Sequence, residues 1–346
     1  MVRRAAMAVA ILAVALSAGT AGGQDAPPGL DERFTEPAGW RWGTFDVADI
    51  GRLRYGALPA QNPDGGAAAG TIVLGPGFTE FAERYFEVAR DIHAWGYDLW
   101  IIDWPSQGGS ARPLDNPQKV YVASFDVYLT ALRQFMTEVV EPAPGRPLVY
   151  FGHSMGGNIG LRYLAAHPTA FDAAVLNAPA VALRTDDRPG WMIRAWAWLA
   201  DSFGGSEDYI PGAADWTAAK LADDGWQRGT SDPERGRLYG LYYRHVPQLR
   251  TGGATFGWLR AYIASIDVLW DDGVLAGIDR PILMGIPTDD SFVPVAPMRT
   301  ACRTLPRCTP VEFTGGRHET WIERDEVRDR WQAAVRTFVD GFGGPM

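Results

Sequence analysis

Two cysteines and five histidines are all that this 346-residue chain offers for thiol, redox or soft-metal chemistry. Cys302 and Cys308 lie close together in Ala301-Cys302-Arg303-Thr304-Leu305-Pro306-Arg307-Cys308, with no histidine or third cysteine beside them. That spacing disfavours a metal cluster or a cysteine nucleophile and is expected to form one disulfide pinning a local turn, worth about 2 kcal/mol for so short a loop. Positive charge is also scarce: 32 Lys and Arg against 41 Asp and Glu leave a net charge of -9, which does not suit nucleic acid or another polyanion as partner. A persuasive membrane span is missing too, because the uncharged run over residues 5–18 is alanine-rich and shorter than the roughly 20 strongly apolar residues a span requires. That run follows Arg3 and Arg4 and precedes the small residues Gly19-Thr20-Ala21 and Ala21-Gly22-Gly23, the pattern of a cleaved secretory signal over residues 1–23. The mature protein is then expected in the periplasm or outside the cell, with an uncleaved anchor as the alternative. No internal repeat and no dinucleotide fingerprint is visible, and neither a cofactor nor a metal is called for.

What the chain does have is a regular alternation of apolar runs and helix-length amphipathic pieces. Residues 24–39 are polar and proline-containing and read as a poorly ordered lead-in. Residues 40–58 alternate apolar with polar positions, as an antiparallel opening pair of strands does, and Asp64-Gly65 marks a turn. After it come Thr71-Ile72-Val73-Leu74, Leu99-Trp100-Ile101-Ile102, Leu148-Val149-Tyr150-Phe151 and Ala173-Ala174-Val175-Leu176. Runs apolar at every position are buried on both faces, which predicts an α/β fold with a mostly parallel sheet flanked by helices. The alternation stops at about residue 183 and resumes with the strand Pro281-Ile282-Leu283-Met284-Gly285. Residues 40–182 and 273–346 are therefore read as one core, and 183–272 as a helical cap inserted before the strand that carries the acid. The cap holds Trp191, Trp196, Trp198, Phe203 and Tyr209 near its start and Tyr239, Tyr242, Tyr243, Phe256 and Trp258 near its end. Such aromatics either line an acyl pocket or form the cap's own small core.

One pentapeptide carries the chemistry. Gly152-His153-Ser154-Met155-Gly156 follows a buried strand and opens a helix, the context of a nucleophile elbow. The turn is so tight that a side chain at either flanking glycine would collide with neighbouring backbone, and the helix start aims amides at the place where a reacting carbonyl develops negative charge. A serine nucleophile needs a histidine base held by a carboxylate, in the chain order Ser, acid, His. Of the five histidines, His93 and His153 do not follow the serine, His167 looks like a helix end and His245 lies in the cap, which leaves His318 after Gly315-Gly316. The acid is Asp290 in the loop after the 281–285 strand, with the adjacent Asp289 as the alternative. The oxyanion donors are the backbone N–H groups of Met155 and Phe78, the latter in Gly75-Pro76-Gly77-Phe78-Thr79-Glu80, where Pro76 has no N–H to give. Glu80 and Glu319 are assigned to support of their loops.

These motifs, with Asp103-Trp104, Gln107-Gly108-Gly109-Ser110, Thr230-Ser231-Asp232-Pro233-Glu234-Arg235, Gly252-Gly253-Ala254-Thr255-Phe256-Gly257-Trp258-Leu259 and Gly315-Gly316-Arg317-His318-Glu319, resemble the lysophospholipase L2 and monoacylglycerol lipase-like branch of the α/β-hydrolases over residues 71–338. The resemblance implies a Ser154, Asp290, His318 triad acting on acyl esters or lipids, with transient contact between the cap and a lipid surface. Two departures stand out: Pro76-Gly77 replaces the branch's usual His-Gly, and Pro105-Ser106 its usual Arg-Gly. The competing readings are a serine aminopeptidase of the same fold, holding a free amine on cap acids such as Asp201, Glu207, Asp208, Asp223 and Asp224, and a non-enzymatic binding protein on a hydrolase fold.

Overall fold

The runs that are apolar at every position fold as parallel strands, and the alternating stretch before them folds as an antiparallel pair. A computed structural model of the protein describes residues 26–60, 66–185, 188–219 and 225–342. The expected signal segment and the Asp64-Gly65 turn lie outside the described residues. In chain order the elements are β1 (Arg41–Val47), β2 (Gly51–Leu58), β3 (Gly70–Gly75), α1 (Phe86–Ala94), β4 (Tyr97–Ile102), β5 (Lys119–Val120), α2 (Asp126–Glu138), β6 (Leu148–His153), α3 (Met155–Ala166) and β7 (Ala173–Asn177). They continue with α4 (Gly190–Ser202), α5 (Pro233–His245), β8 (Gly253–Ala254), α6 (Phe256–Trp270), β9 (Ile282–Pro287), α7 (Val295–Thr304), β10 (Cys308–Phe313) and α8 (Asp325–Asp340). Eight strands form one sheet in the order β1-β2-β4-β3-β6-β7-β9-β10, in which β2 runs antiparallel to both neighbours and the other pairings are parallel.

Side-chain alternation explains the two cores. Along β3, Val73 points to the face packed by α2 and α3, whereas Ile72 and Leu74 point to the face packed by α1 and α8. β10 runs from Cys308 with Thr309 and Pro310 exposed, which an edge strand tolerates. The disulfide forms between Cys302 of α7 and Cys308, with Cα atoms 5.3 Å apart. Residues 26–39 are not the poorly ordered lead-in expected. Phe34 is buried, its carbonyl accepts from Tyr242, and Arg90 donates to the carbonyls of Glu32 and Thr35. One deeply seated aromatic outweighs the polar composition around it.

Between β7 and β9 the chain leaves the sheet for α4, α5 and α6. The motif at residues 230–235 is a helix start: the Asp232 carboxylate accepts from the amides of Glu234 and Arg235, and Pro233 takes the first helical position, where no N–H is needed. Arg235 then reaches Glu87 of α1 and Asp325 of α8, each at 2.8 Å, and bolts α5 to the core. Thr255 caps α6 by accepting from the Trp258 amide. Among the described residues no helix is long and apolar enough to cross a membrane.

Candidate active site

The elbow is strained in the way its sequence requires. Ser154 links β6 to α3 with φ 50° and ψ -112°, backbone that an L-residue adopts only under constraint. A Cβ at Gly156 would lie 2.0 Å from the carbonyl oxygen of Gly75, and one at Gly152 would lie 2.8 Å from that of Gly156, so both flanking positions exclude a side chain. Ser154, His318, Met155 and Phe78 all line one cavity of about 330 Å³.

Asp290 and not Asp289 meets the histidine. Asp290 Oδ2 stands 2.7 Å from Nδ1 of His318, while Oδ1 accepts from the amides of Phe292 and Val293 at 2.7 and 2.9 Å. Asp289 is exposed. Burial works against charge on His318, but the Asp290 carboxylate and its hydrogen bond outweigh it, with Glu319 and Glu80 adding, and the imidazole is held above its ordinary value of 6.5. Catalysis by a serine of this kind needs the neutral ring as proton acceptor. The acid limb of the kcat/KM profile is therefore expected at a pH above 6.5, with activity lost as pH falls through it. A profile measured on a soluble ester checks this, and a half-maximal pH well below 6 would contradict it.

The loop expected to supply the Phe78 oxyanion donor is held by the side chains of Gln107 and Glu80. Gln107 donates from Nε2 to the carbonyls of Gly77 and Glu80 and accepts the Thr79 amide, at 2.8, 3.1 and 3.0 Å. Glu80 Oε2 accepts from the Gly77 amide at 2.6 Å and from the Tyr85 hydroxyl, while Oε1 pairs with Arg84. Burial pushes the Glu80 carboxyl up to about 7 against the pull of Arg84, and the like charge of Glu319 adds to the rise. The loop-support assignment of Glu80 thus has its partners. Met155 opens α3, where the first amides have no helical acceptor.

Three contributors carried no sequence signal of their own. Asn177, the fully buried last residue of β7, accepts the Ser154 amide on its carbonyl at 3.0 Å and donates from Nδ2 to the His318 carbonyl at 3.1 Å. Arg184 donates to the Asp290 carbonyl at 2.6 Å. Gln107 was visible only as part of a motif. Ser106, where glycine is usual in the branch the sequence resembles, keeps the left-handed backbone that glycine would supply, at φ 72°. Its hydroxyl offsets the cost by accepting the Tyr121 amide at 2.9 Å.

The cavity has an aromatic side and a charged side. Phe78 and Trp258 are 4.1 Å apart between ring centroids, and Trp258 and Tyr262 are 5.2 Å apart. Opposite in character are Glu80, Arg84 and Glu319, where Arg84 bridges the two carboxylates at 2.6 and 3.0 Å. Glu80, His153 and Glu319 bring ligand atoms within 4.8 Å of one another, the spacing of a metal site, but the guanidinium of Arg84 already answers both carboxylates. The cap aromatics divide: Tyr239 and Trp258 line the cavity and Tyr242 and Tyr243 are core, whereas Trp191, Trp196, Trp198 and Phe203 do neither and stand exposed.

Comparison with known proteins adds a family. The family described as serine aminopeptidase, S33 matches residues 66–325. Lysophospholipase L2 of Escherichia coli K12 is 30% identical over 310 residues, covering 86% of each chain. A monoacylglycerol lipase of Mycolicibacterium smegmatis is 31% identical over 112 residues, 32% of this chain and 38% of that one. A soluble variant of monoglyceride lipase from Saccharomyces cerevisiae, solved with a substrate analog, shares the fold with a TM-score of 0.68 over 92% of this chain and all of its own, at 20% identity.

Proposed function

The chain belongs to the serine aminopeptidase S33 family of α/β-hydrolases, and on that premise we propose that it hydrolyses acyl esters by way of an acyl-Ser154 intermediate. The observation that carries this reading is the Asp290 to His318 hydrogen bond of 2.7 Å at a cavity whose wall includes a strained serine elbow. His318 takes the Ser154 proton as the hydroxyl attacks the ester carbonyl. Asp290 holds Nδ1–H and steadies the imidazolium, and the amides of Met155 and Phe78 receive the oxyanion. His318 then protonates the departing alcohol, and water repeats the sequence on the acyl-enzyme.

The aromatic side of the cavity suits an apolar acyl chain, and the charged side suits the alcohol. Among the described lining residues, Arg84 is the single Lys or Arg, and Glu80 and Glu319 together outnumber it. With Glu80 raised to about 7, this cluster is neutral to net negative near neutral pH and leaves no guanidinium unpaired, so it offers hydrogen bonds to a neutral polyol and disfavours a phosphodiester. A monoacylglycerol is thus expected to exceed the matching lysophosphatidylglycerol in kcat/KM by about tenfold or more, as electrostatic repulsion of 1.4 kcal/mol would give. Equal turnover of the phospholipid would remove that preference, and faster turnover would reverse it. The acidic cap residues of the peptidase reading lie elsewhere: Asp201 pairs with Arg260 at 2.9 Å, Asp208 faces Lys119 at 3.8 Å, and Glu207 does not line the cavity. Asp223 and Asp224 are outside the described residues. Amino-acid arylamides assayed beside the esters separate the two, with ester turnover expected to dominate. A non-enzymatic binding role has no support from relatives named as lipases.

The exposed face of α4, with Phe203 just past its end, supports transient docking on the lipid surface that holds such substrates. Trp191 is 69% exposed, Trp198 61% and Phe203 85%, with Met192 and Leu199 beside them. Tryptophan in that density on an otherwise soluble surface favours a membrane interface. α4 packs on α6, whose Trp258 and Tyr262 line the cavity, so docking would bring the site to the surface. The triple change Trp191→Ser, Trp198→Ser, Phe203→Ser is expected to abolish sedimentation with phospholipid vesicles and to spare turnover of a soluble short-chain ester. Undiminished vesicle binding would remove α4 from this role.

A further inference from the structure

His153 and Asn177 pair across the ends of β6 and β7, directly behind the nucleophile, and both are buried. The His318 carbonyl can only accept, so the Asn177 side-chain atom 3.1 Å from it is the donating Nδ2. The second proton of that amide points to Nδ1 of His153 at 2.9 Å, and Asn177 Oδ1 accepts from the Thr320 hydroxyl. Nδ1 of His153 also stands 3.2 Å from the Asn177 backbone carbonyl, but its shorter contact is with an amide nitrogen that can only donate, so Nδ1 is assigned as the acceptor and the ring proton to Nε2, which faces Glu80 Oε1 at 3.9 Å. Burial above all, with the nearby His318 and Arg84, holds this imidazole well below the ordinary range, so it stays neutral.

The ring of His153 touches both halves of the reaction machinery. A Cβ at Gly77 would lie 2.9 Å from His153 Cδ2, so the ring packs against the loop whose Phe78 amide is an oxyanion donor. Its centroid is also 4.8 Å from that of His318. We propose that Asn177 and His153 are a positioning pair, in which the amide fixes the tautomer and plane of His153 and the ring holds the oxyanion loop and the catalytic imidazole in register. This rests on the acyl-Ser154 reading above. Neither group exchanges a proton with substrate in that scheme. Their loss should act on the transition state and leave ground-state binding nearly unchanged, because displacement of a donor or base by a fraction of an ångström matters most when charge develops.

The test measures turnover of p-nitrophenyl butyrate and the rate of Ser154 phosphonylation by a fluorophosphonate, the second being independent of which ester is natural. The proteins are wild type, Asn177→Ser, His153→Ala, His153→Asn and the double variant Asn177→Ser/His153→Ala. Asn177→Ser and His153→Ala should each lower kcat and phosphonylation by about 30- to 100-fold with KM changed less than about threefold. His153→Asn, which keeps an acceptor near the place of Nδ1, should recover about tenfold of that loss, and the double variant should be no slower than His153→Ala. Wild-type rates in Asn177→Ser, the variant least able to disturb folding, would overturn the pair, as would losses that multiply in the double variant. Phosphonylation that changes as expected without turnover of any ester would support the pair and count against the ester reading alone.

Discussion

Ser154→Ala and His318→Ala should each lower kcat on a soluble ester by about 10⁴-fold or more, and Asp290→Asn by about 10³- to 10⁴-fold, whereas Asp289→Asn should stay within about twofold of wild type. The contrast between neighbouring aspartates is the sharper part. Asp290 is almost fully buried, gives one oxygen to two backbone amides and the other to His318, and has no substitute within reach among its described contacts. Asparagine in its place would turn a donor or a neutral carbonyl toward Nδ1 and lose both the tautomer and the stabilised imidazolium. Asp289 has only its own amide engaged, with the Gly316 carbonyl, and its exposed side chain has no part in that contact. Kinetics on the two asparagine variants, with thermal melts to show that both are folded, decide the assignment. A comparable loss in both would mean that the loop and not the carboxylate is what matters.

Arg54→Ala is expected to destabilise the fold by about 3–5 kcal/mol, the usual cost of leaving a buried ion pair without its partner. Arg54 of β2 lies 2.7 Å from Asp103 and 2.7 and 2.8 Å from the two oxygens of Glu83, all three nearly inaccessible to solvent. Burial works against charge on the guanidinium, yet Asp103 and Glu83 more than offset it and hold Arg54 above its ordinary value. Asp103 also accepts the amides of Ala82 at 2.9 Å and Gly109 at 2.7 Å, so the cluster ties the segment after the oxyanion loop to the Gln107 loop that supports it. A drop in Tm on the order of 10 °C should therefore come with a loss of activity at temperatures where the protein is still folded. Arg54→Met with Glu83→Gln and Asp103→Asn, which removes the stranded charges, should recover part of the stability. If Arg54→Ala melts within about 1 °C of wild type, the cluster is not holding the fold.

Much of this was legible before any coordinates. The elbow could be read because its chemistry imposes glycine on both sides of a serine between strand and helix, and Gly156 against the Gly75 carbonyl shows that demand in space. The sheet was legible because parallel strands buried on both faces lose the alternation that other strands keep, as Val73 and Leu74 show by packing into different cores. The 230–235 motif stood out only through the resemblance, and it is the structure that reveals a helix start there, with Arg235 as the bolt between that helix and the core. What stayed hidden depends on contacts between residues far apart in sequence. Asn177 lies just past the 173–176 run and bore no mark of its own, yet its side chain reaches a carbonyl 141 positions away. Arg184 gave no sign of its bond to Asp290, which spans 106 positions. Phe34 sat in polar surroundings that concealed its burial, and the exposed tryptophans of α4 have the same composition as a buried cluster. Composition reports what a segment contains, while burial depends on which elements pack over it.

The most direct test is to mix the purified protein with a slow-turnover p-nitrophenyl ester, follow the first seconds of p-nitrophenol release, and map the quenched protein by mass spectrometry. The account predicts a burst close to one equivalent per chain and an acyl group on the peptide that carries Ser154, both absent in Ser154→Ala. Ester turnover with no acylated serine, or with the acyl group on another residue, would contradict it.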